Sequence, residues 1–129
     1  MDAPAVAVSR DGKKIVLAWM DQRAGGNNRR VFWTMTSGAT FGKETPLAET
    51  AKGIQGHPAI AIDSNGAIHA AWEDFRSDVQ RIHYRTSDGR DIPLSPERGK
   101  ASFPSLACGK VVGVAFEFGG DVVFMSAPN

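Results

Sequence analysis

The sequence predicts an all-β chain made of β-propeller blades, about three four-stranded antiparallel units with the last one incomplete. Three observations predict it. Three landmarks recur three times in one order, Asp-Gly or Asn-Gly turns punctuate short apolar runs, and helical periodicity is absent throughout. Repeats of this size built from short strands are the mark of propeller blades. A β-sandwich also spaces its strands regularly, but it does not require one motif at one place in every unit.

The first landmark is Pro4-Ala5-Val6-Ala7-Val8, repeated as Pro58-Ala59-Ile60-Ala61-Ile62 and more loosely as Pro104-Ser105-Leu106-Ala107-Cys108. Its small and β-branched alternation suits a tightly packed inner strand. It ends at Asp11-Gly12 and Asn65-Gly66, dipeptides that fit a two-residue hairpin with both central residues at positive φ. The second strand then runs Lys14 to Trp19 and Ala67 to Trp72, leading into Asp21-Gln22-Arg23 and Asp74-Phe75-Arg76, with Val114-Ala115-Phe116-Glu117 as the degenerate copy. A polar loop follows, longest and Gly-rich from Ala24 to Asn28, and only Gly119-Gly120 in the last unit. The third strand is Val31 to Thr36, Ile82 to Thr86 and Val122 to Ser126, which sets Trp33 against His83 and Val123. A weak fourth strand fits Glu44 to Ala48 and Ile92 to Leu94. The blades are thus expected at about 3–50, 56–97 and 102–128, together forming half of a propeller.

Composition narrows the function classes. The 129 residues are 42% hydrophobic, so the chain is not disordered, and no run approaches the roughly 20 apolar residues of a membrane span. Fifteen basic against 14 acidic residues leave a net charge of +1, which gives no field for nucleic acid or an acidic membrane. A single cysteine, Cys108, excludes an intrachain disulfide and a Cys-rich zinc site, and its place on an inner strand suits a small buried hydrophobe. Met1 to Ser9 carries no basic and apolar leader pattern, so no secretion signal is read there. No cofactor-binding loop and no Ser-His-Asp arrangement is present.

The order of Pro-small strand, Asp/Asn-Gly turn, Ala-Trp-x-Asp-x-Arg, aromatic strand and Thr-Ser-Asp-Gly resembles the sialidase-like propellers with bacterial neuraminidase repeats. The Asp-box turn of that family survives in decayed form as Ser87-Asp88-Gly89-Arg90-Asp91-Ile92 and Ser37-Gly38-Ala39-Thr40-Phe41. The resemblance implies a six-bladed ring. In the enzymes it also implies an arginine triad, a Tyr–Glu nucleophile pair and an acid/base Asp. Here the one tyrosine, Tyr84, sits in a third strand with no Glu in register, so no catalytic residue is assigned.

Candidate ligand-binding residues are Asp21, Arg23, Asp74 and Arg76, where i and i+2 share a side and a carboxylate can meet a guanidinium. Glu73, Gln55 and His57 join them, the last two on the loop Glu49–His57; the loop Pro96–Phe103 would present Arg98 and Ser102 in the same way. His69 and His83 lie on adjacent strands and could pair across them, but further ligands are lacking, so no metal site is assigned. Trp19, Trp72 and Phe116 read as one packing position, and Trp33 as a surface aromatic able to stack on a sugar.

Three blades cannot close a ring alone and would leave apolar faces at both ends. A homodimer would supply six. The leading functional expectation is a non-catalytic propeller that binds a carbohydrate or small polar ligand at the rim. The alternatives are a sialidase-like glycoside hydrolase using Glu73, Glu117 and Asp74, or a protein-interaction scaffold.

Overall fold

Residues that alternate small or β-branched side chains with polar ones form strands wherever turn residues free them to pair. The computed structural model describes residues 3–23 and 28–128; of the Gly-rich loop, Ala24 to Asn27 lie outside them. Among the described residues there are twelve strands and no helix. β1 (Ala5–Val8), β2 (Ile15–Asp21) and β3 (Arg30–Ser37) form an antiparallel sheet in that order, with β4 (Thr40–Phe41) and β5 (Thr45–Pro46) both pairing with β3. β6 (Gln55–Ile62), β7 (Ile68–Asp74), β8 (Arg81–Thr86) and β9 (Ile92–Pro93) form the second sheet. β10 (Ala101–Cys108), β11 (Val112–Phe118) and β12 (Asp121–Ser126) form the third. The outermost strands are shorter than expected. Each carries a proline, Pro46 opposite Phe32 and Pro93 opposite His83. One more amide bonds across, Leu47 to Val31 and Leu94 to Ile82, and then the opposing amides of Val31 and Ile82 turn to the Gln55 and Ser95 side chains.

The hairpin turns differ from the two-residue form. No residue of Ser9–Gly12 or Asp63–Gly66 except the glycine has positive φ, at +75° for Gly12 and +82° for Gly66. Each glycine amide donates to the carbonyl three residues earlier, Gly12 to Ser9 at 2.8 Å and Gly66 to Asp63 at 3.0 Å. This is a type I turn closed by a left-handed glycine, which needs one positive φ instead of two. Side chains do the rest: Asp63 Oδ1 accepts from the amides of Asn65 and Ala67, both at 2.9 Å. The two-residue form belongs to Gly119-Gly120, where both φ are positive and Phe118 pairs with Asp121.

The sheets pack face to face in chain order. Each has a forward face toward the next sheet and a rear face toward the previous one. Val16, Ala18, Met20, Val31 and Trp33 on the forward face of sheet one meet Ile60, Ile68, Ala70 and Trp72 on the rear face of sheet two. Ala71 and Ile82 on the forward face of sheet two meet Val114 and Phe116 on the rear of sheet three. Burial follows from this order. β7 is buried at all seven positions because neighbours cover both faces, whereas β2 and β12 alternate.

Register corrects one sequence alignment. Trp19 pairs with Phe32, Trp72 with His83 and Phe116 with Val123. The aromatics Trp33, Tyr84 and Phe124 therefore occupy one repeated position, one residue off the sequence matching. Trp33 is no surface platform: it is 4% exposed and lies under the Arg85 guanidinium, 5.2 Å from its ring centre. The same register puts His69 and His83 on opposite faces of sheet two, so they cannot pair across it.

Trp72 is fully buried between two sheets, while its counterpart Trp19 is half-buried on an uncovered rear face. Trp72→Ala should cost about 3–5 kcal/mol of stability and Trp19→Ala about 1 kcal/mol. Urea unfolding followed by circular dichroism measures both, and equal losses would contradict the one-sided burial of sheet one.

Candidate functional site

The residues singled out from sequence fall into two groups on opposite faces of their sheets. The first group is a carboxylate–guanidinium clamp at the end of each second strand. In sheet two the Trp72 indole donates to Asp74 Oδ2 at 2.9 Å. Arg76 grips the same carboxylate through Nε at 2.8 Å and Nη2 at 2.7 Å, and reaches Asp91 through Nη1 at 2.9 Å. Asp91 also accepts the Glu49 amide of sheet one's exit loop at 2.7 Å, and Arg85 donates to the Leu47 carbonyl at 3.1 Å. The side chains of Asp74 and Asp91 are 0% and 2% exposed. This copy is a staple between two sheets. Burial alone would push the Asp91 carboxyl up, but Arg76 and the Glu49 amide outweigh it and hold it below the usual carboxylate range. His83, beside this cluster, is pushed below the ordinary histidine value by burial and is neutral at pH 7.

In sheet one the same clamp stands in solvent. Arg23 Nη2 donates to Asp21 Oδ2 at 2.7 Å, its other terminal nitrogen pairs with Glu44, and the Trp19 indole donates to Asp21 at 3.3 Å. The Arg23 guanidinium lies 4.3 Å from the centre of the Phe32 ring. Arg23 and Glu44 are 47% and 44% exposed. The Arg23 hydrogen bond holds Asp21 far below, and Glu44 below, their usual values, so both stay ionised. Glu44 carried no sequence signal; its counterpart Asp91 lay inside the decayed Asp-box turn.

The second group surrounds Glu73, which faces sheet three. Its Oε1 accepts from His57 Nδ1 at 2.7 Å, and its Oε2 accepts the Phe103 amide at 2.7 Å. His57 and Phe103 sit at β-bulges of β6 and β10 with φ of 44° and 55°, a region non-glycine residues rarely enter. Their rings meet edge to face, centres 4.8 Å apart. The two loops expected to carry His57 and Ser102 thus end in strand, bent by these bulges. Gln55, expected on the same loop, is 1% exposed on β6; its Oε1 accepts the Val31 amide at 3.1 Å and its Nε2 donates to the Thr50 carbonyl at 2.7 Å. Both ends of that amide are committed to holding sheet two against sheet one.

Several consequences follow for chemistry. Asp74 and Glu73 are adjacent in sequence but lie on opposite faces, and each is fully engaged. His69 is locked as well: its Nε2 donates to Asp63 at 2.9 Å and its Nδ1 accepts the Tyr84 hydroxyl at 2.6 Å. Tyr84 is held protonated by burial, which raises it above the ordinary phenol value. No group of three or more His, Cys, Asp or Glu among the described residues is placed to hold a metal ion. Among the described residues, Asp21, Arg23 and Glu44, with the Trp19 edge, form a charged cluster open to solvent.

No protein-family model and no curated protein matches this sequence. Among solved structures the chain is similar to a fucose lectin from Kordia zhangzhouensis in complex with methyl-fucoside, at a TM-score of 0.57. The match covers 98% of this chain and 100% of that one, with 10% sequence identity. The likeness is one of fold.

Breaking the buried clamp should be far costlier than breaking the exposed one. Asp91→Asn should remove about 3 kcal/mol, whereas Glu44→Gln should leave the urea midpoint nearly unchanged. Asp91 has a depressed folded-state value, so its contribution is complete above the unfolded carboxylate value of about 3.9 and is lost as pH falls through the folded one. The acid limb of the stability–pH curve should therefore flatten in Asp91→Asn; an unchanged limb would contradict the assignment.

Proposed function

We propose that this chain is a non-catalytic carbohydrate-binding propeller half, two copies of which make a six-bladed ring. The sugar hydroxyls would bond to Asp21, Arg23 and Glu44, and its apolar edge would rest on Trp19. The observation that carries the reading is one clamp present in two states. The copy at Asp74, Arg76 and Asp91 is sealed by a neighbouring sheet, and the copy at Asp21, Arg23 and Glu44 presents the same charged groups to solvent beside aromatic rings. Ionised carboxylates and a planar guanidinium form strong directional bonds to hydroxyls, and an adjacent aromatic surface covers the C–H side of a sugar.

The fold likeness to a lectin that holds methyl-fucoside supports the ligand class. The resemblance to sialidase-like propellers enters only as the source of the six-unit count. A hydrolytic role gains no support from Glu73 or Asp74, whose oxygens are already taken by the Phe103 amide, His57, Trp72 and Arg76.

A glycan array should return bound monosaccharide ligands while fluorogenic glycosides are not turned over. Methyl-fucoside is the first probe for calorimetry. Arg23→Ala should weaken binding of the array ligand at least tenfold with little change in the urea midpoint. A silent array, or turnover of a glycoside, would overturn the proposal.

A further inference from the structure

The two ends of the stack carry faces that elsewhere in the molecule mate with each other. On the forward face of sheet three, Phe124 is 68% exposed and Val122 77% exposed. Phe124 stands where Trp33 and Tyr84 stand in the other sheets, and those two are 4% and 3% exposed because the next sheet covers them. Its ring lies over Gly113, where a Cβ would come within 2.7 Å of the ring edge, so it is seated flat on the sheet as Tyr84 is seated on His69. On the rear face of sheet one, Val6 and Val8 are 61% and 55% exposed; their counterparts Ile60 and Ile62 are packed into the core between sheets one and two.

We infer that the forward face of sheet three docks on the rear face of sheet one of a second copy. The inference rests on the ring reading above and gives it an atomic contact. Glu117 occupies the position of Glu73, opposite Ser102 as Glu73 is opposite Gly56. Glu73 accepts the amide of Phe103, the residue before Pro104 in the next sheet. The residue before Pro4 is Ala3, exposed at the start of sheet one. Glu117 of one copy therefore accepts the Ala3 amide of the other, while Phe124 enters the layer beside Val6. Sheet one does not repeat this bond toward sheet two because Met20 stands at the equivalent position and has no acceptor. A second copy is the fitting occupant because each exposed face has its complement at the opposite end of the same chain. The contact is heterologous, and two chains of three sheets bring it round twice.

The wild-type chain should scatter light at twice its chain mass at micromolar concentration. Val6→Asp and Phe124→Asp change exposed side chains, so each should keep the wild-type circular dichroism spectrum and run at half the wild-type mass. Mixed in equal amounts, they should recover a dimer, because one junction then joins two unaltered faces. Glu117→Ala should raise the dissociation constant at least tenfold. A monomeric wild type would overturn the ring itself. A dimeric wild type whose two Asp variants stay dimeric, or whose mixture stays monomeric, would leave the ring standing and overturn these mating faces. Sugar binding is scored separately and does not enter this test.

Discussion

A sheet of three to five short strands cannot bury its own side chains, and everything in this chain depends on how the sheets cover one another. Each presents two apolar faces, and a single face left to water costs about 25 cal/mol for every Å² of apolar surface. The repeat answers this with a fixed division of labour. An aromatic from the third strand points forward, and β-branched residues from the inner strands point back to receive it. Trp33 and Tyr84 perform the first role, Ile60, Ile68 and Val114 the second. The backbone supports the same arrangement. The first amide of each following sheet donates to a carbonyl just before the preceding sheet's third strand, Gln55 to Arg29 and Ala101 to Gln80, both at 3.0 Å.

Covering also decides what a polar motif becomes. The Asp–Arg clamp is chemically the same in both sheets, with an indole donating to the carboxylate and a second acid completing the guanidinium. Under sheet one's exit loop its two carboxylates are buried and bonded, and removing the guanidinium would strand buried charges. In solvent the same groups hold one another weakly and can exchange partners. Burial, with the same carboxylate and guanidinium groups in both copies and Glu44 standing where Asp91 stands, separates a staple from a candidate recognition surface.

Much of this was legible in the residues. The Pro-led inner strands, the Ala-Trp-x-Asp-x-Arg runs, the aromatic third strands and the weak fourth strands place eleven of the twelve strands, all but β4, because each carries its own local chemistry. What was not legible depends on partners distant in sequence. The loops between second and third strands differ in length, so the sequence matching slid by one residue and turned Trp33 outward; only the pairing of Trp19 with Phe32 corrects it. Asp74 and Glu73 looked like one cluster because the chain is read in one dimension, while a strand sends neighbours to opposite faces. The bulges at His57 and Phe103 put their positive φ on residues other than glycine, so no residue type announces them. Their positive φ is held by Glu73, which ties His57 of its own sheet to the Phe103 amide of the next.

A ring and a rim ligand call on one surface, since the exposed clamp lies on the rear face that a second copy would cover. The sealed copy argues that they coexist. Even with sheet one fully in place over it, Arg76 keeps 23% of its side chain exposed, while its carboxylate partners fall to 2% or less. A neighbouring sheet therefore closes over the acids and leaves an edge of the guanidinium at the seam. Arg23 begins at 47% and Glu44 at 44%, both well outside the layer that the inner strands occupy. Docking at Val6 and Val8 would thus bring a second wall up to Arg23 without burying it. A shallow surface cluster becomes a cleft with two sides, which is the shape small polar ligands require.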